Sequence, residues 1–240
     1  MTELIIALDI ADGQAASNLA RRLAPVGALL KVGYEGLFGY PGEIRATFRE
    51  LGARVFVDAK LCDIPRTVEA AMRALIEPGV EIINVHAFGG AAMMRAAVAA
   101  AARRAQELAM TVPPRVFAVT VLTSVAGEDL DDIGLHGEAA DHVVRLALLA
   151  RTAGCAGVVC SALEVPRIKA ACGAGFQTIC PGIRPAGSPH GDQKRVVSPR
   201  DAAELGADFI VVGRPILQAP DPAGAARAIL EELGSVTQPR

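Results

Sequence analysis

One feature limits more than any other how this chain can fold. Along nearly its whole length, short apolar runs alternate with stretches of helical period. "LIIALD" (4–9), "ALLKVG" (28–33), "ARVFVDAK" (53–60), "VEIINVHA" (80–87), "RVFAVTVL" (115–122), "AGVVCS" (156–161), "FQTICPG" (176–182) and "ADFIVVG" (207–213) read as strands. Helical patterns fill 14–24, 42–51, Pro65 to Ile76, 89–109, 138–153, Glu164 to Ala171, 199–205 and 221–233. Continuously apolar strands separated by helices imply a parallel sheet covered on both faces. About eight strand–helix units in 240 residues predict an α/β chain, a single (β/α)8 TIM barrel spanning 1–240. The competing open, doubly wound sheet would place G-x-G-x-x-G after the first strand in its nucleotide-binding form. The chain reads "DIADGQAA" there, and no linker marks a second domain.

The composition excludes several kinds of partner. Net charge is −2, and no half of the chain is strongly basic. With Trp absent and aromatics at 4%, a nucleic-acid surface is not expected. The sequence is 52% apolar, yet no run reaches the roughly 18 residues of a membrane span. The Met-Thr-Glu start lacks a basic leader region. Five cysteines without a C-x-x-C pair read as reduced side chains of a cytoplasmic protein, not as a zinc site.

Barrel enzymes carry their chemistry where strands end. The polar residues there are Asp9, Lys31, Asp58, Lys60, Asp63, His86, Thr123, Ser161, Arg184, Gly213 and Arg214. Asp58 and Lys60 are two apart on one strand, so both side chains should face the mouth. Asp9 and Lys31 can join them. Alternating acids and bases would fix Lys60 as an ammonium, a poor imine former but a well-placed proton donor. A structural ion-pair network is the alternative for any single pair; four or more converging charges favour a site.

The stretch "DAKLCDIPRTV" (58–68) resembles the D-x-K-x-x-D-I-P-x-T-V signature of the orotidine 5'-phosphate decarboxylase family. "IIALDI", "LLKVGYEGLF", "INVHAFGG", "VTVLTS", "CPGIRPAG", "DQKRVVSP" and "ADFIVVGRPI" follow in that family's order. The D-x-K-x-x-D element alone is shared with hexulose-phosphate synthases and ketogulonate-phosphate decarboxylases. The resemblance implies cofactor-free decarboxylation of orotidine 5'-phosphate to uridine 5'-phosphate in pyrimidine biosynthesis. It implies Lys60 as proton donor to C6, Asp58 beside the departing carboxylate, and Lys31 and Asp9 at the ribose. Asp63 would reach the neighbouring subunit's site, making the protein a homodimer, with Thr67 close to the same ribose and phosphate. Thr123 and Ser124 would meet the pyrimidine edge. Arg184, Gly213 and Arg214 would hold phosphate, and Gln193 would bridge phosphate and pyrimidine from a lid at 183–197. No metal ligand is implied.

Leu61, Cys62 and Arg66 depart from the family pattern inside the motif. They lie between the matching catalytic positions, so activity is expected to survive. Cys62 reads as a small buried or interface side chain. His86 is expected to support the site by hydrogen bonding, and His136, His142 and His190 to face solvent. Asp131, Asp132, His136, Asp141 and His142 look like a helix entry and not a metal cluster.

Overall fold

The computed structural model describes residues 1–125, 127–185 and 197–236. Its strands are β1 (Glu3–Ala7), β2 (Leu29–Val32), β3 (Val55–Leu61), β4 (Val80–His86), β5 (Arg115–Val119), β6 (Gly157–Val159), β7 (Gln177–Cys180) and β8 (Phe209–Val212). All pair in parallel, each with its sequence neighbour, and β1 closes on β8. The (β/α)8 barrel expected from the alternation is therefore present.

The longer helices between strands are α1 (Gly13–Leu23), α2 (Pro41–Leu51), α3 (Pro65–Leu75) and α4 (Gly90–Glu107). After β5 come α5 (Gly127–Asp132), α6 (Ala139–Thr152), α7 (Val165–Cys172) and α8 (Pro199–Glu204), then α9 (Arg214–Leu217) and α10 (Pro222–Gly234) after β8. Local chemistry sets their ends. The Asp12 carboxylate caps α1 by accepting the Ala15 N–H at 2.7 Å. Proline opens α2 and α3, where its missing N–H costs nothing. The strand patterns overran the observed strands by a few residues, chiefly at β5, β6, β7 and β8. Short helical segments at Ala24–Val26, Glu35–Gly39, α5, Ala162–Glu164 and α9 lie in or beside stretches read as connections.

Strand alternation divides the core in two. Ile5, Leu29, Phe56, Ile82, Phe117, Ile179 and Phe209 point into the barrel and fill it. Their strand neighbours Leu4, Leu30, Val57, Ile83 and Val116 pack outward against the helices. Phe117 and Phe209 meet edge-on with centroids 6.1 Å apart. Each such buried aromatic contributes about 1.5–3 kcal/mol. The N-terminal end is tied by ions: Arg54 bridges Glu3 and Glu81, and Lys169 reaches Asp208 at 2.7 Å. At the other end the barrel interior holds the buried polar side chains Lys31, Asp58 and Asn84.

Candidate active site

The site follows from the period of a strand. Two residues beyond the inward-facing Leu29, Phe56 and Ile82 come Lys31, Asp58 and Asn84, pointing the same way, one layer higher. The same step on the far side of the barrel reaches Val119, Pro181 and Val211. One half of the mouth is therefore charged and the other apolar. They enclose a cavity of about 390 Å³ lined by Asp9, Lys31, Asp58, Lys60, Asn84, Val159, Pro181, Arg184, Val211, Gly213 and Arg214. That volume lies within the roughly 300–1,000 Å³ of small-molecule sites.

Charge alternates along the polar half. Lys31 Nζ lies 2.9 Å from Asp9 Oδ1 and 3.1 Å from Asp58 Oδ2. Lys60 Nζ donates to Asp58 Oδ1 at 2.7 Å. Burial disfavours the Asp58 carboxylate, but Lys31 and Lys60, helped by hydrogen bonds from Lys60 and Asn84, outweigh it and lower its pKa. Burial likewise works against charged Lys31, and Asp58 and Asp9 overcome it, raising its pKa. Lys60 is more accessible, with 31% of its side chain exposed, and spends one of its donors on Asp58. The ammonium also sits 5.6 Å from the Tyr34 ring centroid.

Lys60 reaches this place by an unusual backbone. Its φ is +44°, in the left-handed region, at a cost on the order of 1–3 kcal/mol for a side chain other than glycine. The β3–β4 register jumps here, from Val57 opposite Ile83 to Leu61 opposite Val85. Asp58 and Lys60 therefore converge through a bulge and not through regular alternation, the geometry their spacing had implied. Asn84, 1% exposed, spans the irregularity. Its Oδ1 accepts the Lys60 backbone N–H at 2.7 Å, and its Nδ2 donates to Asp58 Oδ1 at 2.7 Å.

The other expected site residues fall into groups. Arg184 is buried in the cavity wall, and Gly213 and Arg214 line the same end. Thr123 and Ser124 are exposed and line a smaller cavity of about 180 Å³, shared with Lys60, Val119, Val159, Cys160 and Pro181. Asp63 and Thr67 are exposed and outside the large cavity; Asp63 accepts the Ile64 N–H at 2.6 Å. Gln193 and His190 lie outside the described residues, as does most of the 183–197 loop.

The histidines need correction. His142 is buried, with Nε2 3.0 Å from the His136 carbonyl, because α6 turns that face toward the core. His86 Nδ1 has no hydrogen-bond partner among the described residues, and its ring packs on Phe88 at 5.3 Å. Burial and then the Lys60 charge lower its pKa, favouring the neutral ring. Cys62 is exposed, while the other four cysteines are buried and free. Among the described residues, no three His, Cys, Asp or Glu side chains gather as a metal would require.

Two participants were not picked out from the sequence. Asn84 was visible as an amide inside the otherwise apolar "IINV". Gly33 follows Lys31 by two, and a Cβ there would lie 2.9 Å from Asp9 Oδ1 and 3.1 Å from Lys31 Nζ. A side chain there would displace Asp9 and Lys31 from their present contact.

A parallel barrel with charged side chains converging at the C-terminal mouth defines a (β/α)8 enzyme. The chain belongs to the orotidine 5'-phosphate decarboxylase / HUMPS family, which it matches over residues 2–229. It is 49% identical over 230 residues to an orotidine 5'-phosphate decarboxylase of Sodalis glossinidius, covering 96% of this chain and 89% of that one. It is 48% identical to the enzyme of that name from Moorella thermoacetica, covering 98% and 93%. The crystal structure of orotidine 5'-phosphate decarboxylase from Lactobacillus acidophilus superposes with a TM-score of 0.84 at 33% identity, covering 98% of this chain and 100% of that one. Among the described residues no helix is long and apolar enough to cross a membrane.

Proposed function

We propose that this protein decarboxylates orotidine 5'-phosphate to uridine 5'-phosphate in pyrimidine biosynthesis, without a cofactor and with Lys60 as proton donor. The carrying observation is the Asp9–Lys31–Asp58–Lys60 row, packed at 2.7–3.1 Å, facing an apolar wall across one cavity. Breaking the C6–carboxylate bond releases CO2 and leaves an electron pair on C6. The Lys60 ammonium stabilises that pair as it forms and then gives C6 its proton; solvent reprotonates the amine. Asp58 and Lys31 hold Lys60 in place, so no reorganisation is needed when charge develops.

Binding divides by chemistry. The apolar half suits the faces of a pyrimidine, with Thr123 and Ser124 at its edge. Asp9 and Lys31 suit ribose hydroxyls. Arg184, Arg214 and the open backbone at Gly213 suit a phosphate, whose binding energy can serve the reacting end.

The same reading makes the protein a homodimer. Tyr34, Phe38, Ile64, Phe88 and Leu122 are 51%, 79%, 66%, 47% and 41% exposed, all just beyond strand ends at the mouth. A second copy covering them would bring its Asp63, beside Ile64, toward this mouth. Five free cysteines suit a cytoplasmic location.

The test is loss of orotidylate absorbance with purified protein in the presence of a chelator. Turnover unaffected by chelator is expected. Strict dependence on added Mg2+ would instead favour a metal-dependent sugar-phosphate enzyme on the same barrel.

A further inference from the structure

We infer that Asn84 is a positioning residue for this reaction: one amide fixes the left-handed backbone at Lys60 and the Asp58 carboxylate in a single geometry. The inference rests on the decarboxylase reading for its consequence in catalysis, but its structural basis is independent of it.

The orientation of the amide is determined by its neighbours. The Lys60 backbone N–H can only donate, so Oδ1 must face it, 2.7 Å away. Nδ2 must then face Asp58 Oδ1, also at 2.7 Å. Asp58 Oδ1 thus receives Asn84 from one side and the Lys60 ammonium, at 2.7 Å, from the other. The ring of contacts runs from Lys60 N–H through the amide to the carboxylate and back to Lys60 Nζ. Main chain and ammonium of one residue are tied together through the side chain of a neighbouring strand.

Asn84 is needed because the strand ladder fails here. Val57 pairs with Ile83, and pairing resumes only at Leu61 with Val85. The bulged backbone turns to φ +44° at Lys60. A buried N–H left unpaired would be costly, and Asn84 supplies the acceptor the ladder does not. An apolar residue of the same size would fill the space, being 1% exposed, but could do neither job. Groups of charge or titration near the amide are Asp58 and Lys60 on β3, Lys31 on β2, Asp9 beyond β1 and His86 on β4. Its β5 neighbour Phe117 carries none.

Two variants and two readouts test this. Asn84→Leu removes both hydrogen bonds at similar volume. We expect kcat to fall about 100-fold, as for a displacement of a reacting group by about 1 Å. Affinity for uridine 5'-phosphate should stay within about threefold, because the phosphate end is untouched. Asn84→Asp keeps the acceptor for Lys60 N–H but sets a second carboxyl against Asp58. A proton shared by that pair restores the missing donor, so activity relative to wild type should rise by about tenfold from about pH 8 to about pH 5. A role in packing alone predicts a flat ratio. Amide hydrogen exchange at Lys60 reads the same contact without turnover: protection in the wild type should vanish in Asn84→Leu. If that variant does not fold, Asn84→Asp carries both readouts, with Lys60 protection retained. Near-native kcat in the leucine variant, a pH-independent ratio, or unchanged Lys60 protection in the leucine variant would overturn the inference. An inactive wild type with the expected exchange pattern would count against the decarboxylase reading alone.

Discussion

Lys31 Nζ and Asp58 Oδ2 meet at 3.1 Å with side chains only 8% and 11% exposed. Each ion is stable there because the other is present. Removing either alone, by Lys31→Ala or Asp58→Ala, should cost about 3 kcal/mol, the lower end for a broken buried pair because Asp9 or Lys60 remains as partner. The double variant should cost less than the sum by about 1 kcal/mol or more. Urea unfolding of the four proteins checks this, and strict additivity would refute it.

Lys60→Ala separates chemistry from architecture. It removes the proposed proton donor and a charge aimed at C6. Turnover should fall by at least roughly 10⁴-fold, the two effects combined. Thermal unfolding should change little, since the side chain is partly exposed. Single-turnover decarboxylation with far-UV dichroism as control decides the matter. Retained turnover would exclude Lys60 as donor.

Acid should weaken the protein through Asp58. Its folded pKa lies below the ordinary 3.8, with Lys31 and Lys60 overcoming burial. A depressed carboxyl stabilises the fold above its unfolded pKa and loses that contribution as pH falls through the folded one. Stability should therefore decline below about pH 4, and Asp58→Asn should decline less steeply over that interval. Denaturant titrations at several acid pH values compare the two slopes; equal slopes would remove Asp58 as the cause.

Gly33→Ala places a methyl group 2.9 Å from Asp9 Oδ1 and 3.1 Å from Lys31 Nζ. The exposed Asp9 can move more easily than Lys31, so the proposed ribose contact of Asp9 should suffer first. KM should rise about tenfold with a smaller change in kcat, and stability should drop by about 1 kcal/mol. Steady-state kinetics beside a melting curve would show it. A kcat effect with constant KM would place the damage at Lys31 instead.

Mixing tests the proposed dimer. If Asp63 serves the partner's cavity, subunits carrying Asp63→Ala and subunits carrying Lys60→Ala should regain about a quarter of native activity when recombined, since one of the two sites in a mixed dimer is intact. Ile64→Glu should shift the protein toward monomer in sedimentation. Verified mixed dimers without recovery would rule out Asp63 serving the partner's cavity.

The barrel was legible because its signal is a period. Apolar runs such as "LIIALD" and helical stretches such as 42–51 repeat often enough to leave little choice of architecture. Lys31, Asp58 and Lys60 were legible as charges ending apolar strands. The detail that joins them was not. Asp58 and Lys60 looked like a same-face pair on a regular strand, whereas a bulge and a left-handed residue bring them together. Bulges depend on pairing across strands, which no local pattern reports. His142 was expected to face solvent; the packing of α6 decided otherwise.

The torsion at position 60 suits glycine, the residue least able to supply an ammonium. Selection for a more comfortable main chain would therefore push this position toward a side chain without function. A descendant that yielded to that pressure would keep its barrel, with less tension in it, and lose the ammonium proposed here as proton donor. On the proposed function, the strain at Lys60 accompanies an ammonium held against Asp58, where a relaxed main chain would favour a residue that has none.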